Sequence, residues 1–293
     1  LEGMHRVAGM PDLHPGRGYP VGAAFFSVGR LYPALVGNDI GCGMALWRTD
    51  IPTAKLHLDK LEKRLGNLDL PLDETWQEAV ASFGLPATGH ERSLGTIGGG
   101  NHFAELQQLD ESYDDAALAA LGIERKHLLL LVHSGSRGLG EAILREQVDL
   151  FGHHGLEAGS EASTHYLGRH DGALRFAEAN RQLIARRMLD RLRADGDVLL
   201  DINHNLVSPA QVDGLDGWLH RKGATPSDQG AVVIPGSRGD YSYLVQPIAD
   251  ERSLLSLAHG AGRKWMRSEC KDRLASRYSG EQLSRTALGS RVI

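Results

Sequence analysis

The feature that most constrains this chain is a recurring junction. Short apolar runs meet glycine-rich polar loops, and each loop carries a potential ligand. NDIGCG offers Asn38, Asp39 and Cys42, and GTIGGGNHFAE offers Asn101, His102 and Glu105. LLLVHSGSRGLG offers His133 and Arg137, DINHN offers His204 and Asn205, and LAHGAGR offers His259 and Arg263. Glycine makes up 36 of 293 residues, above the usual share of about 7%, with no collagen period. The surplus belongs in turns and in loops whose backbone comes close to a ligand, the places where sites are built on a rigid scaffold.

The apolar runs at 127–133 and 198–202 are too short for typical buried helices and read as core strands, as do 21–28 and 231–234, with a weaker strand at 243–248. Helical patterns cover 53–65, 139–151, 174–193 and 263–278. In 174–193, Leu183, Ile184 and Met188 share one face with arginines opposite. Strands and helices mix without regular βαβ alternation. The expected fold is α+β, a single large domain over residues 1–293 with irregular mixed topology.

Composition closes off several classes. With 41% apolar and 24% charged residues the chain is not disordered. Two cysteines cannot make a disulfide scaffold, and no apolar run reaches the length of a membrane span. No signal-peptide pattern follows Leu1, so the reading is a cytoplasmic segment of a longer protein. The net charge of −5 does not by itself point to nucleic acid, but it hides local fields. Six acidic residues and no Lys or Arg lie in 105–124, five Arg against one Asp in 181–193, and six basic against two acidic residues in 263–277.

Taken singly, Cys42 reads as a small buried hydrophobe, Asp39 as a turn residue, and each strand-end histidine as a hydrogen-bonding group. Together, Asp-x-x-Cys in a glycine turn and histidines in similar loops make a metal site equally reasonable, with zinc, manganese, iron and cobalt all open. Familiar alternatives fail: there is no C-x-x-C pair, H-E-x-x-H, P-C-x-x-C or P-loop, and GTIGGGN lacks the helix start of a dinucleotide fingerprint. His153, His154, His165 and His170 lie in a polar stretch and read as solvated loop. The GAGR loop, ahead of a helical pattern, suits a phosphate or, more plainly, a capping turn. A neutral His259 beside a phosphate could be a nucleophile or a general acid. Arg263 and Arg267, four apart, share a helix face and suit a phosphate-bearing strand.

MPDLHPGRGYPVG, NDIGCG, GGGNHF, HSGSRGLG, NHN, GSRGDYSYLV and HGAGR, in this order over nearly the whole chain, resemble RtcB-type RNA ligases. HPGRGYPVGAAFFS looks like the shorter branch of that family, associated with a release-factor-H-like protein. The resemblance implies an RtcB-like fold and a ligase that uses GTP and two Mn²⁺ ions. Its RNA substrates would carry a 2′,3′-cyclic phosphate or 3′-phosphate on one end and a 5′-hydroxyl on the other, with no membrane partner. It implies Asp39, Cys42, His102, His133 and His204 as metal ligands, Cys42 bridging, and His259 as the residue that becomes guanylylated. Asn101, Phe103, Glu105, Ser237, Ser242, Gly260, Ala261 and Gly262 would meet GTP. Arg137, Asn205, Arg263 and Arg267 would hold RNA phosphates. The K-x-D-G motif of lysine-based nucleotidyl ligases is absent. Against the family pattern, the chain is expected to lack the residues preceding the first strand motifs, and the C-terminal segment with its guanine-stacking Tyr and guanine-contacting Lys. Alternative readings are a metal-dependent RNA phosphoesterase or a non-catalytic metal-binding partner of a release-factor-like protein. Cys270 reads as structural.

Overall fold

The computed structural model describes residues 1–16, 18–55, 57–262, 276–279, 282, 284–286 and 288–292. The helix read at 263–278 and the reading of Cys270 therefore fall largely or wholly outside the described residues. The chain forms two compact units, Leu31–Leu206 on one hand and Leu1–Arg30 with Val207–Ile293 on the other. Helices and sheets are mixed, as the α+β reading anticipates.

The Leu31–Leu206 unit is built on a four-stranded sheet in the order Phe103–Gln107, His127–Ser134, Gly43–Pro52, Gly196–Asn203, every neighbouring pair antiparallel. His127–Ser134 is buried from Leu128 onward, which explains its unbroken apolar run: both faces are covered. The long helix Glu161–Leu192 lies on this sheet. Its Ile184, Ala185, Met188, Leu189 and Leu192 pack with Ala45, Trp47, Leu130 and Val132 of the strands. Complete burial of such side chains contributes about 1.5–3 kcal/mol each.

This helix begins well before residue 174. Ser160 caps it by accepting a hydrogen bond from the Ser163 amide, and the polar first turns mask the apolar period. His165 and His170 are thus helical, not in a solvated loop. His170 is fully buried, with Nδ1 3.0 Å from Asp171 Oδ1; burial lowers its pKa despite the Asp171 contact. His153 and His154 are exposed in a turn. The arginine-rich stretch is not simply an outward basic face either. Arg181 and Arg187 are buried. Arg187 Nη1 donates to the carbonyls of Leu68, Leu70 and Gly95 at 3.0, 2.7 and 2.9 Å, and Arg191 Nη1 donates to those of Leu65 and Asn67. Irregular segments leave carbonyls that need donors, and these side chains supply them.

Other boundaries differ by local chemistry. The 53–65 pattern resolves into a 3₁₀ turn, Thr53–Lys55, and a helix Leu58–Leu65. The 243–248 strand is Tyr243–Val245, stopping two residues before Pro247, which has no N–H to continue a ladder. The helix Gly138–Phe151 and the strands Val21–Ser27, Gly196–Asn203 and Val232–Ile234 match their sequence patterns closely.

The second unit carries a sheet in the order Met4–His14, Val21–Ser27, Leu215–Lys222, Asn205–Val212. Met10, Ala24, Phe26, Leu219, Ala224 and Leu254 form its core. Ala224–Pro226 pairs with Ser256–Ala258, which places His259 directly after a strand. Among the described residues no helix is long and apolar enough to cross a membrane. Leu130, with no exposed surface, lies at the centre of the helix–sheet core. Leu130→Ala should cost about 2–5 kcal/mol, read as a lower urea midpoint with unchanged slope.

Candidate metal centre and nucleophile

Antiparallel pairing gathers the first set of residues. Gly43 stands opposite both Ser134 and Asn203, and Phe103 opposite His133. Hence the starts of two strands and the ends of two others share one end of the sheet. Cys42 and His102 immediately precede their strands, His133 is the next-to-last residue of its own, and His204 follows the fourth. Asp39 comes from the NDIGCG loop. That loop closes tightly: the Cys42 amide donates to the Asp39 carbonyl at 3.1 Å, the Gly41 amide to Asn205 O at 2.8 Å, and the His204 amide to Cys42 O at 2.8 Å. Gly41 has φ +73°, and a Cβ there would come 2.7 Å from the Ala177 side chain, so a larger residue is strained and crowded.

Two donor sets result, both containing Cys42. In one, Sγ of Cys42 and ring nitrogens of His133 and His204 lie within 4.8 Å of one another; in the other, Cys42 joins Asp39 and His102 on the same criterion. Cys42 Sγ is 3.1 Å from His133 Nε2 and 3.6 Å from His102 Nε2, and His102 Nε2 is 2.7 Å from Asp39 Oδ2. The His133 ring meets those of His102 and His204 with centroids 5.4 and 5.2 Å apart. His133 Nδ1 is 2.9 Å from the Asn101 carbonyl, an acceptor that fixes the proton on Nδ1 and leaves an Nε2 lone pair toward the thiol, the outer-shell arrangement of metal-bound histidine. A thiolate, imidazoles and a carboxylate, from buried and half-buried positions, fit a divalent transition ion better than calcium or magnesium.

The charges oppose each other. Burial pushes the Cys42 thiol well above its usual pKa and the Asp39 carboxylate adds to this, while Arg181 pulls the other way. Burial also acts to raise Asp39, but its bond to His102 and the Arg137 amide outweigh that and hold it below the ordinary range. The Arg137 amide donates to Asp39 Oδ1 at 2.9 Å, and its guanidinium lies 3.1 Å from His102 Nδ1 and against the Ile97 carbonyl. Asn205 Nδ2 donates to the Asp39 carbonyl at 3.0 Å. Phe103 stands edge-on to His133. Asn101 and Glu105 are exposed.

The second set lies in the Leu1–Arg30, Val207–Ile293 unit. His259 Nδ1 is 2.6 Å from Asp12 Oδ2, and the His259 amide donates to the same oxygen at 3.2 Å. Asp12 is 4% exposed. The carboxylate thus lies beside Nδ1, and Nε2 is the ring nitrogen on the other side. The His14 ring lies nearly parallel to that of His259, centroids 6.5 Å apart. Gly223, φ +61°, comes so close that a Cβ would sit 2.8 Å from His259 Cε1. The preceding Lys222 is buried, donates to the Tyr19 carbonyl at 3.1 Å, and has its pKa lowered to about 8 by desolvation. Gly262 packs against Asp12. Gly260 is half-buried and Ala261 exposed; Ser237 (exposed) and Ser242 (half-buried) occupy the loop of the hairpin Val232–Ile234, Tyr243–Val245. Arg263 and Arg267 lie outside the described residues.

Sequence reasoning assigned no role to Asp12 or Lys222. A signal existed for Asp12: it stands two residues after buried Met10 on one strand, so the period of two puts an acid on the core-facing side, where it needs a partner. The family model described as "tRNA-splicing ligase RtcB" matches residues 1–82 and 74–292. The chain belongs to the RtcB family. It is 60% identical over 293 residues to an RNA-splicing ligase RtcB2 of Escherichia coli, covering 100% of this chain and 77% of that protein. An RNA-splicing ligase RtcB of Mycobacterium tuberculosis is 29% identical, covering 100% and 87%. A tRNA-splicing ligase RtcB of Nanoarchaeum equitans is 31% identical, covering 89% and 74%.

Two outcomes follow for this RtcB-family chain. Cys42→Ala removes the atom common to both donor sets, so bound metal per chain should fall sharply by elemental analysis; unchanged stoichiometry would refute the shared ligand. Lys222 has a folded pKa near 8, below the unfolded value of about 10.4. Its desolvation penalty is therefore full below pH 8 and relieved as pH rises toward 10, so its contribution to stability rises over that window. The difference in urea midpoint between wild type and Lys222→Met should shift in the wild type's favour between pH 7.5 and 9.5.

Proposed function

We propose that this chain is a GTP- and Mn²⁺-dependent RNA ligase that joins 2′,3′-cyclic phosphate or 3′-phosphate ends to 5′-hydroxyl ends through a guanylylated His259. The observation that carries the reading is the pair of donor sets that share the Cys42 thiol, set in a chain of this family. Cys42, His133 and His204 would hold one ion, and Asp39, Cys42 and His102 the other. When bound, such ions supply Lewis-acid polarisation of phosphoryl oxygens and neutralise developing charge.

His259 carries the covalent step. Its Nε2 lone pair attacks the α-phosphorus of GTP, an N–P bond forms, the α–β P–O bond breaks and pyrophosphate leaves. The ring becomes cationic as this happens, and the Asp12 carboxylate, 2.6 Å from Nδ1, would stabilise that charge and help fix the ring plane. An RNA 3′-phosphate oxygen then attacks the same phosphorus and the N–P bond breaks, which returns His259 to its neutral form. The 5′-hydroxyl oxygen attacks the activated 3′-phosphate, GMP leaves, and the hydroxyl proton passes to solvent. A 2′,3′-cyclic phosphate first takes up water to become the 3′-phosphate. Asn101, Phe103, Glu105, Ser237, Ser242 and the Gly260–Ala261–Gly262 backbone are the proposed GTP contacts. Arg137, Asn205, Arg263 and Arg267 are the proposed contacts to RNA phosphate.

Mass spectrometry after incubation with GTP and Mn²⁺ tests the reading. Wild type should gain one GMP in an acid-labile bond. His259→Ala should gain none, and an adduct in that variant refutes the nucleophile. Asp12→Asn should slow adduct formation by roughly 10²–10⁴-fold with metal content unchanged.

A further inference from the structure

The strongest feature not used above lies beneath the metal centre, on the long helix Glu161–Leu192. Arg181 has no exposed surface, and its guanidinium makes four hydrogen bonds and a fifth close contact. Nε donates to Asp201 Oδ1 at 2.7 Å, and Nη2 approaches the same oxygen at 2.5 Å. Nη1 donates to the carbonyls of Gly41 and Ser134 at 2.6 and 2.9 Å, and Nη2 to Asn203 Oδ1 at 2.7 Å. Three of those acceptors are each one residue away from a metal-donor residue: Gly41 beside Cys42, Ser134 beside His133, Asn203 beside His204. The adjacent Asn180 repeats the pattern. Its Nδ2 donates to Ser134 Oγ and Gly135 O, and its Oδ1 accepts from the Gly95 amide at the start of the loop that leads to His102.

We infer that Arg181 is a positioning residue for the metal centre, its planar fork tying the loop residues before Cys42 and around His204 to the strand end that carries His133. This rests on the metal reading above. The sheet ladder alone does not set the spacing of these segments, because Gly41, Cys42 and His204 lie outside the strands; besides a few backbone bonds between the segments, the Arg181 fork is what joins them to the Ser134 end of the strand. A guanidinium holds several acceptors in one plane at fixed angles, whereas an ammonium is a point charge that cannot. A buried cation is a poor source of stability when a well-packed apolar group could take its place, so its use here calls for a geometric reason.

The test is the affinity of the full chain for Co²⁺, measured by competition with a chelator and by the thiolate-to-metal absorption band that reports Cys42 in the coordination sphere. Arg181→Lys keeps the charge and loses the fork; Asn203→Ala removes one acceptor at a half-buried position. Both should bind Co²⁺ about 10–100-fold more weakly, with an altered band. Leu192→Ala, which loosens the same helix at the far end without touching the loops, should keep the wild-type affinity and band. If Arg181→Lys does not fold, Asn203→Ala decides. Unchanged affinity in folded Arg181→Lys and Asn203→Ala overturns the inference, as does an equal loss in Leu192→Ala. A wild type that binds no Co²⁺ overturns the metal reading itself and is recognised before any variant is compared.

Discussion

Antiparallel strands put the beginning of one chain segment beside the finish of its neighbour, and the Leu31–Leu206 unit depends on this. No short stretch of the sequence holds more than two of the candidate metal donors, yet Cys42, His102, His133 and His204 converge because four strands alternate in direction and keep register at one end. The side chains there are polar and buried, a costly combination unless each finds a partner. Most do so within the site: His102 with Asp39, His133 with the Asn101 carbonyl, Asp39 with the Arg137 amide.

The apolar strands were legible because continuous burial leaves a continuous apolar run. His127–Ser134 is the clearest example, and the glycine loops beside such runs announced most of the donor residues. Strands such as Met4–His14 and Leu215–Lys222 were not read. Met4–His14 alternates in burial along its length and is broken by Pro11, and Leu215–Lys222 becomes buried only toward its end, where His220, Arg221 and Lys222 are polar. The arginines of the long helix misled for a different reason. An arginine that caps internal carbonyls has the same spacing as one that faces water, and only the irregular loop opposite, at Leu65–Leu70 and Gly95, distinguishes the two. Asp12 was hidden by its setting among turn-forming residues, although the partner it finds is His259, more than two hundred residues along the chain.

The two candidate centres set a carboxylate against different partners. Cys42 sits where burial and a neighbouring carboxylate oppose ionisation, so a cation that binds there must displace a proton. At His259 the carboxylate of Asp12 instead lies 2.6 Å from Nδ1, on the side of the ring away from Nε2.

The scatter of donors from Asp39 to His204 has a consequence for how the protein is made. In a small zinc module the metal closes short loops and can drive folding. Here the loops between donors are long, and nearly the whole sheet must pair before the donors meet, so the entropic cost of closure falls on the polypeptide before any ion can repay it. Either candidate donor set is complete only once strands distant in sequence have paired, so the sheet itself, not a short loop, would build any such centre.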